Sequence, residues 1–330
     1  MKRLVYVCLL FFLIPLLQAQ ETVSSDTILM GSRFKITIVE QNRETAHQKI
    51  NQIITEIVRI EDLISDWRAW SQVSEVNKNA GIKAVKVDRE VLELTQRAIH
   101  FSKLSQGAFD ISFAAMDRIW RFDDSMEQLP TAEEIRQAIQ HIDYRNIIID
   151  EKHSTIFLKN KGMKIGFGAT GKGYAAYKAS EYAKSLGILA GIIDASGDIQ
   201  TWGKQPNGAP WSIGITNPKK RGKFLDILYF TNAAVATSGD YEKFLMIDGK
   251  RYSHIINPKT GMPSTGLTSV TVIGPNAEMC NGFSTSLMVL GKKDGLKLIN
   301  QHPDYAAMMM TDSGKIIKSK HYRRVKRYLK

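Results

Sequence analysis

Gly166-Phe167-Gly168-Ala169-Thr170-Gly171-Lys172-Gly173-Tyr174 places a glycine at four of nine positions. Without a Cβ, such a backbone can bring its N–H groups against a phosphate. A helix beginning near Gly171 would aim its positive end at the same point. Lys172 adds a full charge beside that end. The spacing Gly-x-Gly-x-x-Gly at 166, 168 and 171 has a dinucleotide-fold meaning only in a strand–turn–helix unit with an acidic residue about 20 residues on. A glycine turn without a ligand gives the same letters. From Gly171 the pattern predicts a helix that Gly187 ends.

Outward from this run, helical and extended patterns alternate. Asp26 to Val39 alternates apolar and polar positions and reads as one strand. Glu44 to Ile64 carries Ile50, Ile53, Ile54, Ile57 and Ile64 at helical spacing. Asp88 is placed to cap a helix with Val91, Leu94, Ala98, Phe101 and Leu104 on one face. Thr131 to Glu134 is a capping-box start for another. Asn146–Asp150 and Thr155–Leu158 read as a hairpin across a polar turn. Strands are expected at 190–194, 211–216, 227–230, 269–273 and 305–311, with a helix over 277–290. No repeat or low-complexity linker divides the chain, so the expectation is an α+β fold of mixed sheets, packed helices and glycine-rich loops that bear the site.

The termini carry separate signals. Met1-Lys2-Arg3 precedes an apolar run, Leu4 to Leu17, then Gln18-Ala19. That run falls short of the roughly 20 residues of a membrane span, so residues 1–19 read as a secretory signal peptide and 20–330 as the working domain. A retained anchor is the alternative. A lipid anchor is not expected, because Cys8 lies inside the apolar run rather than after it. With residues 1–19 removed, only Cys280 remains and no internal disulfide can form. The formal net charge is +12, and much of it sits in Lys315 to Lys330. That stretch reads as a solvated final strand and tail, with contact to an anionic membrane surface as the functional alternative. No nucleic-acid motif accompanies it.

Further glycine-dense segments lie at Gly107-Ala108-Phe109-Asp110, Ala195-Ser196-Gly197-Asp198 and Thr237-Ser238-Gly239-Asp240-Tyr241. His254 stands in Arg251-Tyr252-Ser253-His254-Ile255-Ile256-Asn257-Pro258-Lys259-Thr260-Gly261, a turn-rich loop suited to lining a cleft. It is a candidate proton shuttle or phosphate partner, or else a structural hydrogen-bonding group. Asn281 and Thr285 are four apart on an expected helix, so their oxygens share one face. With a carbonyl and ligand phosphates they suit Mg²⁺; polar decoration of a helix is the plainer reading. Neither a Walker lysine motif nor a nucleophile elbow is present.

The order of these segments resembles the ApbE family, the FAD:protein FMN transferases. The matching pieces are Met30-Gly31-Ser32, Ser65-Asp66-Trp67 leading to Ser74-Glu75-Val76-Asn77, Gly107 to Asp110, Gly168 to Tyr174, Ser196 to Ile199, Ala236 to Gly239, Ser253 to Gly261, and Ala277 to Gly291. The resemblance implies a T-fold-like flavin cleft and a periplasmic enzyme that moves FMN from FAD to a Thr or Ser of an acceptor flavoprotein, with a membrane redox subunit as the expected type. It implies contacts to FAD from Met30, Trp67, Ala108, Phe109, Asp110, Gly166, Lys172, His254 and Ile255. Trp67 would stack on the adenine. Mg²⁺ would be held by the Ala169 carbonyl, Asn281 and Thr285, and His254 and Asp198 are the candidate bases. This chain departs from the family at three positions. Asn281 stands where an Asp is usual, which predicts weaker intrinsic metal affinity. Tyr177 stands where Asp is common, and Gly166 where many members carry an acidic residue that meets the flavin. Two rival readings use the same cleft: an FAD pyrophosphatase, and a non-catalytic FAD-binding protein.

Overall fold

The computed structural model describes residues 20–116, 119–123, 125–220, 222–240 and 244–328. The signal-peptide reading of residues 1–19 and the glycine-segment residue Tyr241 lie outside them.

The chain opens on a hairpin, β1 (Glu21–Leu29) and β2 (Ser32–Glu40), paired in register from Glu21↔Glu40 to Leu29↔Ser32. The single strand expected over 26–39 is therefore two. Met30 (φ 51°) and Gly31 (φ 67°) turn the chain in the left-handed region that tight hairpins require. A methionine at such a position is an unusual turn residue, so Gly31 alone marks the turn in the sequence. Helix α1 (Arg43–Ile64) follows, with Asn42 Oδ1 accepting from the amides of Glu44 and Thr45. Its Ile50, Ile53, Ile57, Ile60 and Ile64 are buried.

A short helix, α2 (Gln72–Lys78), is capped by Ser71. Then come β3 (Val85–Lys86), α3 (Arg89–Leu104), α4 (Ala132–Ile139), β4 (Ile147–Asp150) and β5 (Thr155–Leu158). Asp88 holds the N-cap position of α3, but its side chain makes no capping bond. The helix starts where expected, without the bond expected to start it. The capping box at Thr131 and Glu134 forms in full. β4 and β5 pair as the expected hairpin and β3 joins them.

Helix α5 (Gly171–Ser185) leads into β6 (Gly191–Ala195), β7 (Asp198–Trp202), the ribbon β8 (Trp211–Thr216) with β9 (Phe224–Phe230), and then β10 (Ala233–Gly239). The hairpin β11 (Phe244–Ile247) with β12 (Lys250–Ser253) precedes β13 (Leu267–Gly274), α6 (Ala277–Ile299), β14 (Ala306–Thr311), β15 (Ile316–Lys318) and α7 (Tyr322–Tyr328). Helix α6 runs past the expected end at 290, with a break where Gly291 takes φ 71°.

Eight strands form one antiparallel sheet in the order β1-β2-β6-β7-β10-β13-β14-β15. Alternate side chains of its central strands serve two different cores. Ala234 and Ala236, Val270 and Val272, and Ala307 and Met309 join the large core under α1, α5 and α6. Val235, Ile273 and Met308 instead pack with Ile213, Leu228 and Phe230 of the ribbon and with Tyr322 and Val325 of α7. β13 is consequently buried at every position. The C-terminal stretch is thus not a solvated strand and tail but a strand followed by a docked helix. Tyr322 and Val325 seat α7, while Lys326 and Lys318 turn inward to Asp226.

Candidate functional site

Local rules position each side chain of the site. At the β6–β7 turn Ser196 (φ 59°) and Gly197 (φ 94°) both lie in the left-handed region. The turn folds Asp198 back opposite Ala195, and the Gly197 amide donates to Asp194 Oδ1 at 2.8 Å. Asp198 is therefore buried at the start of a sheet strand. Across from it, Thr170 precedes the first turn of α5, and Lys172 Nζ reaches to 3.5 Å from Asp198 Oδ2.

Gly173 explains how α5 comes so near α6. A Cβ there would stand 2.4 Å from the Ala277 carbonyl oxygen and 2.9 Å from Asn281 Cβ. The missing side chain lets Asn281 sit beside Ala169 and Asp198. The Asn281 amide is buried, and with its NH₂ turned to them it donates to Ala169 O at 3.2 Å and Asp198 Oδ2 at 3.3 Å. One turn along, Thr285 Oγ1 lies 3.5 Å from Ser238 Oγ, which also bonds Ser284 Oγ at 2.8 Å.

The other walls are loops fixed by hydrogen bonds. Asn77 clamps residue 165 from both sides: its Nδ2 donates to Ile165 O at 2.9 Å and its Oδ1 accepts from Ile165 N at 2.7 Å. That clamp sets the path into Gly166 and Gly168. A Cβ on Gly166 would stand 2.9 Å from Ala114 Cβ and 3.2 Å from Asp66 Oδ2. Asp110 accepts from the Ser112 amide and hydroxyl at 2.8 and 2.6 Å and from the Tyr144 amide at 3.1 Å. Burial nonetheless lifts its pKa above the usual carboxylate value. The bonds it accepts shape the loop that carries Ala108 and Phe109, both buried. His254 follows β12 on a loop tied by Ile255 N to Ser253 Oγ at 3.1 Å and by Ser264 N to Ile255 O at 2.8 Å. The Phe122 ring meets the imidazole edge-on.

These pieces enclose one cleft of about 400 Å³, to which Trp67, Lys172, Asp198, His254, Asn281 and Thr285 all contribute. Ala108, Phe109, Asp110, Gly166, Ala169 and Ile255 line it as well. Met30 does not. It lines an adjoining hollow with Glu61, Phe167 and Lys172, and its amide donates to Glu61 Oε2 at 3.1 Å. Trp67 stands between the two spaces with 74% of its surface exposed. Sequence patterns do not single out Asp66, Phe113 or Ser238, which also line the cleft, as site residues. Asp66 and Ser238 lie within unusual segments, but nothing in their spacing shows that they face a cleft.

The donor set has a definite chemistry. The Ala169 carbonyl, the Asp198 carboxylate, the Asn281 amide and the Thr285 hydroxyl are hard oxygen groups, which suit Mg²⁺ or a similar cation. Among the described residues no group of three or more His, Cys, Asp or Glu side chains gathers as a metal site, so any cation here would draw much of its negative charge from a ligand. Thiol chemistry is not at hand. Cys280 is buried, and burial, with Asp198 adding, pushes its pKa well above the ordinary value.

Comparison with known proteins agrees with this architecture. The ApbE family profile matches residues 30–309. A Klebsiella pneumoniae protein named FAD:protein FMN transferase is 31% identical over 298 residues, covering 90% of this chain and 91% of the relative. A Vibrio cholerae protein of the same name is 29% identical over 297 residues, 86% of each. In three dimensions the ApbE protein of Thermotoga maritima superposes with a TM-score of 0.84 at 29% identity, covering 93% of this chain and 99% of that one. The apo flavinyl transferase ApbE of Pseudomonas stutzeri gives 0.81 at 26% identity, with 93% and 97% covered. In sequence and in fold, this chain belongs to the ApbE family.

Proposed function

We propose that this protein is an FAD:protein FMN transferase that, with Mg²⁺, moves FMN from FAD to a Thr or Ser hydroxyl of an acceptor protein and releases AMP. The observation that carries the reading is the meeting of Lys172, Asp198, Asn281, Thr285 and His254 around one cleft, in a chain whose relatives bear that name.

FAD is the substrate. Exposed Trp67 at the mouth offers an aromatic face for the adenine, a contact worth about 1–3 kcal/mol. Lys172 and the start of α5 face the pyrophosphate and offset its charge. The acceptor oxygen attacks the FMN phosphorus, the P–O bond to the AMP half breaks, and AMP leaves with that electron pair. The hydroxyl proton goes to His254. Asp198 is the weaker candidate base, because Lys172 and the Asn281 amide already compete for its oxygen. Ala169, Asn281 and Thr285 would hold the divalent cation, which when bound neutralises charge on the pyrophosphate. Catalysis is then mostly positioning and charge stabilisation.

Residues 1–19 would export the chain to the periplasm, where a membrane redox subunit is the expected acceptor. The reading is tested by incubating the protein with FAD, Mg²⁺ and an acceptor bearing a modifiable Thr. Acceptor-dependent AMP and protein-bound flavin fluorescence are expected. AMP with free FMN would instead make it a pyrophosphatase, and FAD binding without AMP a carrier.

A further inference from the structure

The amide of Asn281 has two useful orientations in one buried place. With NH₂ toward Ala169 and Asp198, it donates to Ala169 O at 3.2 Å and Asp198 Oδ2 at 3.3 Å. With Oδ1 there, three acceptor oxygens face one another. Hydrogen bonding therefore selects the first orientation unless a cation sits between the oxygens, and a cation selects the second. We propose that Asn281 is a two-state gate: its amide stands in for the divalent cation until FAD arrives, and must turn over to admit it. This rests on the reading of the cleft as an FAD and divalent-cation site.

Charge supports the same conclusion. Lys172 and Asp198 lie 3.5 Å apart and cancel, and Asn281 adds nothing. An Asp at position 281 would place a second carboxylate about as near to Asp198 as the amide now is. Like charges so close in a buried site demand a proton or a cation. The asparagine removes that demand. The protein's own groups then hold the cation weakly, and the pyrophosphate supplies the charge that draws it in. Cation binding should follow FAD rather than precede it.

The test is thermal unfolding without FAD, in EDTA and in saturating MgCl₂. The wild-type midpoint is expected to change little between the two. Asn281→Asp should fall by more than about 2 °C in EDTA and recover in MgCl₂. Adding Asp198→Asn to Asn281→Asp should reverse the loss in EDTA, because the swapped pair again joins an amide to a carboxylate. An Asn281→Asp protein as stable as wild type in EDTA, or a wild-type shift in MgCl₂ as large as the variant's, would overturn the proposal.

If Asn281→Asp does not fold, the wild type still decides. In ¹⁵N spectra the Asn281 side-chain NH₂ should exchange slowly in EDTA and in MgCl₂ alone, and lose that protection only with FAD and MgCl₂ together. Fast exchange in EDTA would sink the idea. None of these readouts depends on FMN transfer, so the gate and the proposed reaction can fail separately.

Discussion

Lys172 Nζ stands 3.5 Å from Asp198 Oδ2, joining the first turn of α5 to the first residue of β7 across the floor of the cleft. The pair is neutral as a unit and sets the Lys172 ammonium beside the place where phosphate charge would arrive. Lys172 is partly exposed, whereas Asp198 is buried.

Replacing Lys172 by Met should therefore lower the unfolding midpoint, because buried Asp198 loses its cation, and remove a charge that acts on the scissile pyrophosphate. Loss of one preorganised donor of this kind costs about 10²–10³-fold in rate. Steady-state FMN transfer should show a drop of that order in kcat/KM. Unchanged turnover would remove Lys172 from the machinery.

Gly173 should not tolerate alanine. In an open helix that change is stabilising by about 1 kcal/mol. Here the new methyl would stand 2.4 Å from the Ala277 carbonyl oxygen, which is backbone and cannot swing aside. The two helices must part, at a cost of about 1–3 kcal/mol. A lowered midpoint with weakened FAD binding is expected in calorimetry and titration. A stabilised variant would mean that α5 and α6 can separate without cost.

Asp226 ties the C-terminal helix to the ribbon, accepting from Lys326 at 2.6 Å and from Tyr322 Oη at 3.1 Å, with Lys318 at 3.5 Å. Burial raises its pKa, but Lys326, Tyr322 and Lys318 outweigh burial, and the net displacement is downward. A carboxyl whose folded pKa lies below its unfolded value stabilises the fold above the unfolded value and loses that contribution as pH falls through the folded one. Asp226→Asn should cost about 1 kcal/mol at neutral pH, flatten the acid limb of the stability curve, and speed amide exchange in α7. An acid limb identical to wild type would show that the contact contributes nothing.

Much of the fold is legible in the amino-acid sequence. The isoleucine spacing of α1 and the capping box at Thr131 are local patterns, and local patterns survive folding unchanged. The elements that sequence patterns misread or miss have non-local causes. β10, Ala233–Gly239, is made of small residues and is buried on both faces, so it shows no alternation. β15 and α7 look solvated in sequence because Lys318 and Lys326 find their partner at Asp226, far away along the chain. The β1–β2 turn is obscured because Gly31 alone marks it, while Met30 carries a positive φ that its residue type does not advertise.

The site divides in the same way. Short segments, read alone, supply the residue types and their order: glycines for close backbone approach, Lys172 beside a helix start, His254 in a turn-rich loop, and Asn281 and Thr285 one turn apart. Backbone sterics and helical periodicity set those properties within a few residues. The meeting of Lys172, Asp198 and Asn281 is of another kind, as are the bond Asp110 accepts from the distant Tyr144 amide and the placing of Met30 in the neighbouring hollow. The first of these exists only once α5, β7 and α6 are packed together. Gly173 and the shared core set that packing, because close approach of two helices depends on what each lacks at the contact and not on the spacing of either one.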